Sequence, residues 1–294
     1  PVAIDLWGVY APYKKLDGNR WQINFETTVV NSDYEDKIVT LESSIIGADG
    51  FVLATAAGEG RLKLREKGVI KYSAVAENPL LWDCDNPNLY TVKTVLKTNG
   101  EEIDENTTRI GFRTVEITVE NGLLLNGKPT FINGVCAHQD FGLTGLAVPE
   151  NIAKYKVSLM KEMGANGYRT SHYQQTESYM DAFDEQGFLV MDEARWFEST
   201  KEAMEQLESL IKRDRNRPSV IMWSTSNEEP LHITDTGRKL HKAIAAQIRK
   251  YDYTRPVTAA EDKTPDKSAI YDECDFIGIN YNLSIYDTVH KMRP

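Results

Sequence analysis

The chain has 294 residues, enough for about two domains. Hydrophobic residues make up 41% and charged residues 27%, a globular composition that excludes a disordered chain. With 34 Lys and Arg against 44 Asp and Glu, the net charge of −10 argues against nucleic acid or anionic membrane as partner; no apolar run reaches about 18 residues, so no membrane insertion is expected.

Residues 1–114 read as all-β. Strands are predicted at Ile4–Tyr10, Trp21–Val30, Lys37–Ile46, Phe51–Ala56, Val69–Ala76, Tyr90–Lys97 and Arg109–Glu116. Alternation is clearest in Trp21-Gln22-Ile23-Asn24-Phe25 and along Tyr90–Val95. Asp17-Gly18, Asn31-Ser32-Asp33, Asp49-Gly50 and Asn99-Gly100 supply turns. Seven short strands so spaced predict an immunoglobulin-like β-sandwich. Cys84, Cys136 and Cys274 stand far apart, with neither disulfide-framework nor zinc spacing.

After Asn121-Gly122 the pattern changes. Short apolar runs at Phe131–Val135, Gly167–Arg169, Phe188–Met191, Val220–Trp223, Pro256–Ala259 and Phe276–Ile279 alternate with amphipathic stretches at Ile152–Met163, Glu177–Gln186, Ala203–Arg213 and Thr236–Lys250. In the first stretch Ile152, Tyr155, Leu159 and Met163 share one helical face. Repeating βα units with near-continuous apolar strands, and no glycine-rich nucleotide loop, predict a parallel barrel. A complete (β/α)8 TIM barrel takes about 250 residues, and residues 115–294 are 294 − 114 = 180. The expectation is an incomplete TIM barrel with about six of eight strands, whose open edges would offer homo-oligomer or edge-strand association. The chain opens with Pro1 and no signal-peptide pattern, so it reads as a piece of a longer protein; its compartment stays open between cytoplasmic and exported.

Function in such a barrel sits at the C-terminal strand ends. Those ends carry His138-Gln139-Asp140, Arg169 through Tyr173, Asp192-Glu193, and Ser224 through Glu229. No element has metal-ligand spacing and no serine nucleophile elbow appears. Of Asp192 and Glu193, either lines a pocket, or both pair with Arg169 or Arg195. Trp196 and Trp223 are stacking candidates, Trp223 equally a core residue.

Asn166-Gly167-Tyr168-Arg169-Thr170-Ser171-His172-Tyr173, followed by Asp184-Glu185-Gln186-Gly187-Phe188-Leu189-Val190-Met191, resembles the first signature of glycoside hydrolase family 2. Asp214-Arg215-Asn216-Arg217-Pro218 continuing to Asn227-Glu228 resembles the second. Leu81-Trp82 through Tyr90, Gly111-Phe112-Arg113 and Leu125-Asn126-Gly127-Lys128-Pro129 are smaller echoes. Gln174 departs from the family's usual proline after His-Tyr.

The resemblance implies a sandwich followed by a catalytic barrel, a preceding jelly-roll domain absent here, and retaining hydrolysis of terminal β-linked sugars, β-galactosides first among them. It implies that Glu228 is the general acid/base. Asn227 would meet the sugar 2-hydroxyl, Arg169 the nucleophile carboxylate, and His172 and His138 further hydroxyls. Asp192 is carried as a substrate-binding candidate, and Tyr281 resembles the family tyrosine that touches the nucleophile. That nucleophile, a Glu after a seventh strand, would fall beyond Pro294. Carbohydrate is the expected partner and no cofactor is expected, a structural or activating cation in the longer enzyme staying open. Two alternatives stand beside this: a non-catalytic carbohydrate-binding or assembly module on the same fold, and a metal-dependent hydrolase using His138, His172 and Asp192.

Overall fold

A computed structural model describes residues 1–264 and 266–293. The chain divides into two compact units, Pro1–Thr114 with Asn216–Pro218, and Val115–Arg215 with Ser219–Pro294.

The first unit is a β-sandwich of strands β1 (Val2–Tyr10), β2 (Tyr13–Lys15), β3 (Arg20–Asn31), β4 (Lys37–Ile46), β5 (Val52–Leu62), β6 (Lys67–Glu77), β7 (Tyr90–Thr98) and β8 (Glu101–Ile110). In one antiparallel sheet β3 pairs with β1 and β2 along one side and with β6 along the other. The second sheet runs β5-β4-β7-β8. Strand β3 alternates as its sequence does, burying Trp21, Ile23, Phe25, Thr27 and Val29. These residues pack with Val39, Leu41 and Ile45 of β4 and Val92 and Leu96 of β7. Polar groups inside are paired: the Tyr72 hydroxyl reaches Thr27 at 2.9 Å and Ser43 at 2.8 Å.

Eight strands replace the predicted seven, and the last lies earlier than expected. Asn99 and Gly100, at φ 52° and 82°, form a hairpin tip, so β8 begins at Glu101. Its charged start hid it: β8 is an edge strand with one solvated face, and polarity there carries no burial signal. Strand β5 also runs on through small residues. A Cβ at Gly58 would stand 2.7 Å from the Tyr72 ring, so the strand needs glycine where β6 crosses it.

The second unit starts with a small antiparallel sheet of β9 (Val115–Thr118), β10 (Gly122–Leu125) and β11 (Lys128–Pro129). Six parallel strands follow: β12 (Gly134–Cys136), β13 (Gly167–Arg169), β14 (Leu189–Glu193), β15 (Val220–Asn227), β16 (Val257–Glu261) and β17 (Gly278–Ile279). Between them run α1 (Glu150–Glu162), α2 (Glu177–Gln186), α3 (Lys201–Asp214) and α4 (Asp235–Tyr251), and α5 (Tyr286–Met292) comes last. Spatial order equals chain order, β12 to β17. A doubly wound sheet reverses order at a switch point; this one does not, and it curls as half of a barrel. Local signals set the helices: Thr200 and Thr234 accept the Ala203 and Gly237 amides at the starts of α3 and α4, and Gly187, at φ 71°, ends α2.

Of the apolar stripe of α1, Ile152 packs against the core. Ala153 and Val157 are buried, whereas Tyr155, Leu159 and Met163 are exposed. The small residues are the ones that fit against the core shared with α2, and apolar periodicity reports a stripe without saying which side it faces.

Candidate active site

The C-terminal ends of β13, β14, β15 and β17 bring their polar residues together. Glu193, the last residue of β14, is fully buried and is the hub. Its carboxylate accepts Arg169 Nη2 at 2.8 Å and Nε at 3.1 Å, the Ser224 hydroxyl at 2.8 Å, and contacts His172 Nδ1 at 2.8 Å. Arg169 also lies 3.3 Å from that imidazole nitrogen. Arginine only donates, so the shorter contact assigns the Nδ1 proton to Glu193 and leaves Nε2 for a substrate.

Arg169 Nη2 further donates to Asn227 Oδ1 at 2.6 Å, and Nη1 to Asn280 Oδ1 at 3.4 Å. The Asn280 amide then donates to Asn227 Oδ1 at 2.9 Å and to Glu228 Oε1 at 2.5 Å. Glu228 and Tyr281 both hold left-handed backbone, at φ 54° and 62°. That conformation costs a non-glycine residue roughly 1–3 kcal/mol and collects at functional sites. The Glu228 amide is tied to the Ala260 carbonyl at 2.9 Å. Tyr281 is 81% exposed, and its hydroxyl is held above the ordinary range by its hydrogen bond to the Glu228 carboxylate and by that charge. Sequence reasoning placed Tyr281 near a nucleophile; here it touches Glu228.

Residues 4–113 match "Glycosyl hydrolases family 2", and residues 115–201 and 197–294 match "Glycosyl hydrolases family 2, TIM barrel domain". The chain belongs to glycoside hydrolase family 2. A β-galactosidase of Bacteroides ovatus is 32% identical across 96% of this chain and 38% of its own length. Human β-glucuronidase is 30% identical across 90% of this chain and 41% of its own length. A family 2 glycosyl hydrolase from Bacteroides cellulosilyticus superposes with a TM-score of 0.94 at 31% identity, over all of this chain and 41% of its own. This family 2 chain therefore spans about two fifths of the length of these relatives.

Within the family 2 barrel, the remaining candidates separate cleanly. His138, exposed after β12, stacks on Tyr173 at 5.7 Å and meets His172 edge-on at 6.2 Å, so it stands at the same rim. Asp192 is a correction. Strand alternation turns it away from Glu193, toward the helices, where it is fully buried and accepts the Thr170 hydroxyl at 3.1 Å. It lines no sugar pocket, and the donor set His138, His172 and Asp192 is not assembled. No cluster of three or more His, Cys, Asp or Glu fit for a metal occurs among the described residues. Trp223 is core, its indole donating to Asp252 at 2.9 Å. Trp196 is 48% exposed and lines a cavity of about 210 Å³ with Tyr173, Gln174 and Arg195.

Two further carboxylates are committed elsewhere. Glu261, ending β16, accepts Ser268 at 2.8 Å and the Lys263 amide at 3.0 Å and lies 3.2 Å from His232. Burial opposes its ionisation, but His232 and Ser268 outweigh burial and hold it below the usual range. Glu273, before β17, pairs with Lys242 at 3.0 Å and Arg238 at 3.4 Å. Asn280 went unnoticed in the sequence; its only signal was its place at the end of a predicted strand. No helix among the described residues is long and apolar enough to cross a membrane.

Proposed function

We propose that this chain carries the acid/base side of the active site of a retaining β-glycosidase that cleaves terminal β-galactosides by double displacement. The observation that supports it most is Glu228 at the end of the fourth barrel strand, gripped by Asn280 and Tyr281 with Asn227 beside it. Glu228 protonates the departing glycosidic oxygen, then as carboxylate takes the proton of the incoming water. Asn227 meets the sugar 2-hydroxyl, where a hydrogen bond strengthens as the oxocarbenium character grows. His172 and His138 contact further hydroxyls from the β13 and β12 side.

Retention needs a second carboxyl about 5–5.5 Å from the first. The likeness to family 2 puts the nucleophile, a Glu after a seventh strand, beyond residue 294; within this chain Asp192, Glu193, Glu261 and Glu273 are each engaged elsewhere. Galactose is favoured because two β-galactosidases, at 32% and 30% identity, match 96% and 94% of the chain. Residues 1–114 would be the sandwich domain and residues 115–294 the catalytic barrel domain. The sandwich is read as immunoglobulin-like because the order β1-β3-β6 facing β5-β4-β7-β8 crosses between sheets as such sandwiches do. The edge strands β12 and β17 are read as association surfaces.

The test compares the longer protein with the 294-residue chain on aryl β-galactoside, β-glucuronide and β-mannoside. The longer protein should release galactose, with the β-anomer first by NMR, and the 294-residue chain should turn over none of the three. Comparable turnover by both would place the second carboxylate within these residues; release of another sugar would overturn the galactoside assignment alone.

A further inference from the structure

The direction of the amide hydrogen bonds beside Glu228 is set by the ion pair of Arg169 and the buried Glu193. Glu193 fixes the Arg169 guanidinium through Nε and Nη2. A guanidinium has donors only, so whatever it meets must present an acceptor. Asn280 therefore points Oδ1 at Arg169 Nη1 and its amide NH₂ the other way, into Glu228 Oε1 at 2.5 Å and Asn227 Oδ1 at 2.9 Å. Asn227 likewise points Oδ1 at Arg169 Nη2, at 2.6 Å. Both acceptor directions of Asn227 Oδ1 are taken by these two donors. Its own NH₂ is then the group left to face a ligand.

We infer that Asn280 is a positioning residue of the acid/base: it holds Glu228 by Oε1, and together with Arg169 it makes Asn227 a pure donor toward the sugar. This rests on the glycosidase reading above and goes beyond it. The sugar atom opposite Asn227 must accept, so a ring substituent with a lone pair, a hydroxyl or an amide carbonyl, fits there, and an ammonium does not. Asn280 itself needs no contact with the substrate. Its amide fixes the orientation of the Glu228 carboxyl through Oε1.

Glu228 also meets the Tyr281 hydroxyl from the same segment as Asn280 and lies near the Lys263 amine from the segment after β16.

The experiment uses the longer protein that contains this chain, with wild type, Asn280→Ala and Asn280→Asp compared on an alkyl β-galactoside, whose leaving group needs protonation, and on an activated aryl β-galactoside, with melting curves as a check on folding. Losing the hydrogen bond that orients Glu228 should lower kcat on the alkyl substrate by about 10- to 100-fold with a smaller change in KM, and should spare sugar transfer from the aryl one. Asn280→Asp, which has no NH₂ to donate, should not restore the alkyl activity. A role in structure alone would lower turnover of both substrates alike, and that result in folded variants overturns the assignment of Asn280. A wild-type protein that hydrolyses no β-glycoside removes the functional reading itself, and Asn280's role with it.

Discussion

On β14 the Asp192 carboxyl lies against Thr170 and the α3 residue Asp214, and burial together with that like charge raises its pKa well above the usual carboxylate range. A carboxyl whose folded pKa is raised adds stability below its unfolded value of about 4, and that stability is lost as pH rises through the folded value. Asp192→Asn copies the protonated acid. The variant should match or exceed wild type at pH 7 and show a flatter decline of unfolding free energy between pH 4 and pH 9, read by urea denaturation. A uniform loss at all pH values would mean that the charged form is the native one. The neighbouring Glu193 faces the other way, where Arg169 and Ser224 complete its hydrogen bonds. The two could not be told apart in sequence: Leu189 and Val190 are both apolar, so the strand's phase had no marker. Arg169, His172, Asn227 and Glu228 were legible because each sits within a long motif. Asn280 follows a strand of two residues, too short to carry a period.

At the scale of elements, the loop between α4 and β16 shows how the parallel sheet is pinned from outside. Asp252 accepts the Trp223 indole at 2.9 Å, Arg255 Nη1 at 2.8 Å and the Thr254 hydroxyl at 2.6 Å. Burial would raise its pKa, but the Arg255 charge and the Thr254 bonds prevail and hold it at about 2. A depressed carboxyl contributes stability above its unfolded value that is lost as pH falls through the folded one. Asp252→Asn should therefore cost about 2–3 kcal/mol at pH 7, and the difference should shrink toward zero near pH 2. An equal loss at both pH values would assign the effect to packing. Helices were the most legible elements: α2 lies where its periodicity put it, with Gly187 as its stop. Strand β8 and the inward face of α1 were not, since a half-solvated edge and a bare stripe leave the burial direction to tertiary contacts.

Across the whole molecule, each unit closes its own core, one of Trp21, Phe25 and Phe112 between two sheets, the other of Tyr168, Phe183 and Trp223 between sheet and helices. The parallel sheet gathers a rim of donors around Glu228, and its order from β12 to β17 places Glu228 between Arg169 on one side and Tyr281 on the other. The central claim is that Glu228 is the acid/base. Replacing it in the longer protein by Glu228→Ala removes the carboxyl and leaves room for a small anion. Hydrolysis of β-galactosides with poor leaving groups should then vanish, activated aryl galactosides should still transfer their sugar, and added azide should speed turnover and yield a β-galactosyl azide. Equal loss on both substrate types, with no azide product, would contradict the account and move the acid role to another residue.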